Sequence, residues 1–112
     1  MADDIERVDR GNVTVLSVPA RLDTLMSESL EQRCTQLATE GRFKVVVDCT
    51  RLEFLNSIVI RILIAFHQRA VKNGGDLKFA NVSLPVEDVL HLTKLDQVFS
   101  WYPSVDEAIA AF

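Results

Sequence analysis

At 112 residues, 48% of them apolar and 25% charged, the chain has the length and mixture of one globular domain, and it is too rich in apolar residues for disorder. A formal charge of −4 without any cluster of Lys and Arg argues against nucleic acid, whose phosphates are held mainly by basic side chains. The most apolar segment, Ile58 to Phe66, is broken by Arg61 and falls far short of the roughly 20 residues that cross a bilayer.

Met1-Ala2-Asp3-Asp4 places acids where a secretory signal carries basic residues and an apolar stretch, which predicts a cytoplasmic protein. Ile5-Glu6-Arg7-Val8 then alternates as a strand does. Asp9-Arg10-Gly11-Asn12 suits a tight turn, and Val13 to Val18 resumes as a second strand, so a hairpin is expected and Pro19 closes it. From Ser27 to Glu40, Met26, Leu30, Cys34 and Leu37 recur every three or four residues beside polar neighbours, which predicts an amphipathic helix ended by Gly41.

Lys44-Val45-Val46-Val47-Asp48-Cys49 has no alternation, as expected of a central strand covered on both faces. A second helix starts at Asn56-Ser57, either of which can accept a bond from a free backbone N–H, and runs to Asn73 before Gly74-Gly75. Asp76 to Asn81 returns as a strand, and a third helix covers Pro85 to Thr93. A short strand follows near Val98 to Trp101. Ser104 and Glu107 stand at capping-box spacing before a last helix that ends at Phe112. Strands and helices that alternate through short connections predict an α/β domain: a mixed sheet with an antiparallel edge strand from the N-terminal hairpin, parallel strands elsewhere, and about four helices.

Chemistry-bearing residues are sparse. Cys34 and Cys49 form no CxxC pair and have no histidines at zinc-ligand spacing, so both read as reduced, buried residues; no metal and no cofactor is expected. His67 lies ten residues after Ser57, too far along a helix for a nucleophile–base pair. His91 sits on the third helix without an acid or cysteine at ligand spacing, and both histidines read as surface or packing residues. Trp101 and Tyr102 read as packing residues of an edge strand. No nucleophile elbow is present, and no enzyme is expected. The second helix is unusual, because Ile58, Val59, Ile60, Ile62, Leu63, Ile64, Ala65 and Phe66 leave only Arg61 polar over two turns. A sheet can cover one side of such a helix, which leaves Ile58 with Val59 or Ile60 as an exposed apolar patch of the kind that marks a binding surface.

The segment Val45-Val46-Val47-Asp48-Cys49-Thr50-Arg51-Leu52-Glu53-Phe54-Leu55-Asn56-Ser57 resembles the signature of the STAS domain, the sulfate-transporter and anti-sigma-factor-antagonist family. Arg21-Leu22-Asp23, Lys72-Asn73-Gly74-Gly75-Asp76-Leu77 and Leu92-Thr93-Lys94-Leu95-Asp96-Gln97-Val98-Phe99 match further segments in the same order, so a single STAS domain over residues 1–112 is expected. The resemblance implies a bacterial regulator that captures an anti-sigma factor which is also a serine kinase, and that phosphorylation of a turn serine reverses the capture. The family's Asp-Ser-Ser-Gly turn falls on Asn56-Ser57-Ile58-Val59. Ile58 therefore replaces the usual acceptor, and Ser57 is left as the conceivable phosphosite. Asp23, Asn56, Ser57, Ile58, Val59 and Ile60 are the expected partner-binding residues. The alternative is a STAS subunit that regulates a membrane transport complex, such as a lipid-transport ATPase, through the same surface without entering the membrane itself.

Overall fold

The computed structural model describes residues 4–112; Met1, Ala2 and Asp3, on which the reading of an acidic start partly rests, lie outside the described residues. A five-stranded sheet runs in the order β1-β2-β4-β6-β7, from β1 (Glu6–Arg10), β2 (Val13–Ser17), β4 (Lys44–Asp48), β6 (Asp76–Ala80) and β7 (Ser100–Tyr102). β1 and β2 are antiparallel, with Arg10 opposite Val13, and every later pairing is parallel. The expected architecture is the one found. Four helices pack on this sheet: α1 (Thr24–Thr39), α2 (Ser57–Lys72), α3 (Leu84–Leu92) and α4 (Val105–Ala110).

Successive residues of a strand face opposite ways, and here the two faces are covered unequally. Leu16, Val45, Val47, Leu77 and Phe79 share one core with Leu30 and Leu37 of α1, Val59, Leu63 and Phe66 of α2, and Val86 and Leu90 of α3. Val13, Val15, Val46 and Ala80 share a smaller cluster with Ala108, against which Tyr102, Val105, Ile109 and Phe112 pack. The unbroken apolar run of β4 follows from this, since Val45, Val46 and Val47 are each buried against one layer or the other. At the free edge, Arg7 reaches from β1 to Glu40 at 2.7 Å, and this guanidinium holds the Glu40 carboxyl below its usual range.

Three features went unread in the sequence. β3 (Arg21–Leu22) and β5 (Phe54–Leu55) form a separate two-stranded parallel sheet. α1 begins three residues before Ser27, at Thr24, because Asp23 caps it. A single 3-10 turn, Leu95–Gln97, separates α3 from β7. At the far end of α2 the chain turns so tightly into β6 that a Cβ on Gly75 would lie 1.9 Å from the carbonyl oxygen of Phe43, so only glycine fits.

Candidate functional site

The two-residue sheet decides the layout of the site. Pairing of Arg21 with Phe54 and of Leu22 with Leu55 leaves Asp23 and Asn56 next in register, one at the head of each long helix. Asp23 Oδ1 accepts the N–H of Met26 at 3.1 Å, and Asn56 Oδ1 accepts the N–H of Val59 at 3.0 Å. Each cap thereby satisfies one of the donors that a helix start leaves open. Asn56 Nδ2 also donates to Thr24 Oγ1 at 3.2 Å, which ties the two starts together. The Arg21 guanidinium lies 4.6 Å from the centroid of the Phe54 ring and stiffens the adjoining strand pair.

Around these caps the surface is apolar. Ile58 is 39% exposed, Phe54 40% and Leu25 79%. Ser57, the first residue of α2, is exposed with them. Of the expected contact residues, Asp23, Asn56, Ser57 and Ile58 are brought together at this end, and Ile60 is half-buried against the core. Val59 is corrected. Its side chain is 0% exposed, because Val59, Leu63, Phe66 and Ala70 form the stripe by which α2 packs on the sheet. A continuous apolar run carries no information about which residue faces inward, and packing settles that here. Leu25 and Phe54 were missed; their signal is a lone exposed apolar residue beside a cap, which spacing does not reveal.

The remaining candidates are occupied elsewhere. His67 Nε2 lies 3.1 Å from Asp76 Oδ1, at the start of β6 and the opposite end of the sheet from Ser57. His91 does have acidic neighbours, contrary to the reading from spacing. Its Nδ1 meets Asp96 Oδ2 at 2.8 Å and its Nε2 meets Glu87 Oε1 at 3.4 Å, one helical turn back. Hydrogen bonding to Asp96, then to Glu87, raises its pKa. Cys34 and Cys49 are free and buried as expected; burial pushes the Cys34 thiol up to about 12 and that of Cys49 higher still. Among the described residues no group of three or more His, Cys, Asp and Glu could hold a metal ion, and no helix is long and apolar enough to cross a membrane.

A mixed sheet whose two long helices start side by side at one apolar end defines a small α/β domain. The chain belongs to the STAS domain family, whose profile matches residues 4–108. It is 27% identical over 103 residues to the anti-sigma-F factor antagonist RsfB of Mycobacterium tuberculosis, covering 90% of this chain and 82% of that one. An anti-sigma factor antagonist from Mycobacterium paratuberculosis superposes with a TM-score of 0.83 at 29% identity, over 99% of this chain and 96% of the other. An anti-sigma-factor antagonist (STAS) domain protein from Planctomyces limnophilus superposes with a TM-score of 0.85, also at 29% identity, over 96% and 97% of the two chains. The family is one of regulatory binding proteins, and the relatives are anti-sigma factor antagonists.

Proposed function

We propose that this domain captures an anti-sigma factor of the serine-kinase type through the end of the molecule formed by Asp23, Asn56, Ser57, Ile58 and the edge of Ile60, with Leu25 and Phe54 extending the contact. The observation that carries the reading is the exposure of Ile58, an isoleucine in the first turn of α2 with Phe54 also exposed nearby, in a chain whose relatives are anti-sigma factor antagonists. An exposed apolar cluster gains by leaving water, and the capped helix starts hold it rigid, so little ordering entropy opposes binding. Capture is not switched at position 58, because isoleucine has no hydroxyl to receive phosphate. Ser57, displaced by one residue or about 100° around the helix, is the remaining acceptor in the turn and would be modified slowly if at all.

The test is calorimetric titration of the purified domain with the anti-sigma factors of its own organism. Tight binding to one of them, weakened by Ser57→Asp and by Ile58→Asp, is the expected result. Absence of binding to every anti-sigma factor, or binding instead to the ATPase subunit of a transport complex, overturns it. Incubation with the captured kinase and ATP should leave position 58 unmodified; rapid, stoichiometric phosphorylation of Ser57 with release of the partner would show that the switch has moved by one residue.

A further inference from the structure

On one side the sheet ends in β1, which has β2 as its strand neighbour and nothing paired beyond it. β1 is also the least covered strand: four of its five residues are exposed, and Val8 keeps 54% of its surface in water. Its hydrogen bonding follows from the turn. Arg10 and Val13 flank the two-residue turn Gly11-Asn12 and so exchange both backbone bonds, and the alternation of an antiparallel ladder then commits Glu6, Val8 and Arg10 to β2. The N–H and C=O groups of Arg7 and Asp9 point away from the sheet. Such a row of outward groups is a template for one more strand.

The order of charges along this edge selects the strand. Charged residues on an edge ordinarily deter pairing, because most registers bring like charges together. Glu6-Arg7-Val8-Asp9-Arg10 behaves differently against a copy of itself. Run antiparallel with Val8 opposite Val8, it sets each Glu6 opposite an Arg10 and each Arg7 opposite an Asp9. The same register makes Arg7 and Asp9 the hydrogen-bonded pairs, as their outward groups require, and Val8 with Val8 the unbonded pair, whose Cα atoms approach to about 4.5 Å. A shift of one residue aims outward groups at committed ones. The next registers that restore bonding set Arg7 opposite Arg7 or Asp9 opposite Asp9, with Val8 facing Glu6 or Arg10. No charge has to be free for this selection to work: Arg7 already meets Asp9 at 3.0 Å and Glu40 at 2.7 Å, and Arg10 meets Asp106 at 3.1 Å in an exposed pair. In the favoured register no like charge lies directly opposite another. Val8, opposite Val15 on β2, lies on the α4 face, so its contact with the second Val8 continues the smaller apolar cluster across the axis.

We propose that the domain pairs with a second copy of itself through β1, the two sheets joining edge to edge about a twofold axis at Val8. This isologous contact occupies both β1 edges, so it stops at two copies. Two short strands side by side bury far less than a standard interface of roughly 1,600 Å2, so the dimer is weak, with a Kd of about 0.1 mM. The pairing is independent of the partner surface, and its test needs no anti-sigma factor. Sedimentation velocity on the full chain from about 10 µM to about 1 mM, a range that brackets this Kd, should show a mass that rises from 12.6 kDa towards twice that value. Amide exchange at Arg7 and Asp9 should slow as concentration rises, while Val8 and Arg10, bonded to β2 in both states, should not change. Glu6→Arg and Arg10→Glu each set like charges opposite at two points of the dimer and should raise Kd at least about tenfold. Mixed in equal amounts, the two variants complement each other at both points and should recover a dimer as tight as the native one. A monomer throughout the range, a dimer untouched by either reversal, a mixture no tighter than the variants alone, or slowed exchange confined to strands other than β1 would each overturn the proposal.

Discussion

The two long helices start side by side with the same local geometry and different chemistry. At α1 the cap is a carboxylate, Asp23; at α2 it is a neutral amide, Asn56, although the hydrogen bonds they accept differ by only 0.1 Å. A carboxylate meets the positive end of a helix dipole with a full charge, whereas an amide only fills the donor. The amide has a different advantage: its Nδ2 donates to Thr24 Oγ1, which a carboxylate could not do. One start is anchored by charge, and the other anchors both. The second residue of each helix, Leu25 or Ile58, is exposed, while the residue after Ile58 is core.

The sharpest test of this contrast is between adjacent residues of α2. Val59→Asp should unfold the domain, or cost more than about 4 kcal/mol in urea denaturation, because a charge would be forced into the packed layer. Ile58→Asp should change stability by less than about 1 kcal/mol yet weaken partner binding by about 2 kcal/mol or more, the signature of an interface anchor. Asn56→Ala should cost about 1 to 2 kcal/mol, since it removes both a cap and the tie to α1, whereas Asp23→Ala should cost about 1 kcal/mol. The smallest effect concerns the tie itself. A double-mutant cycle of Asn56→Ala with Thr24→Val should return a coupling of about 0.5 kcal/mol, and a coupling of zero would make the two starts independent.

The strands and helices long enough to show a period were legible in the sequence: the hairpin, the Val45-Val46-Val47 core strand, and α2 with its Gly74-Gly75 stop. β3 and β5 were not, because two residues cannot display alternation and their pairing joins segments more than thirty positions apart. The capping role of Asp23 was hidden for the same reason, since it depends on where that pairing places the start of α1. The pairing of Glu87 with His91 was readable from a spacing of four and was overlooked. The apolar patch at Ile58 was visible as an excess of hydrophobic residues, but its boundary was not.

Gly75 sits at the opposite end of the sheet from all this. Its missing Cβ lets Phe43 and Asp76 approach, and the ladder that begins with Lys44 opposite Asp76 ends with Asp48 opposite Ala80. Parallel strands slide only in steps that keep each side chain on its own face, so the smallest slip is two residues, nearly 7 Å of travel. Such a slip would carry Asn81 out of reach of Asp48. The absence of one carbon atom where β6 begins thus sets the register at which Asn81 meets Asp48 where β6 ends, and a larger residue at position 75 would be felt five strand residues away.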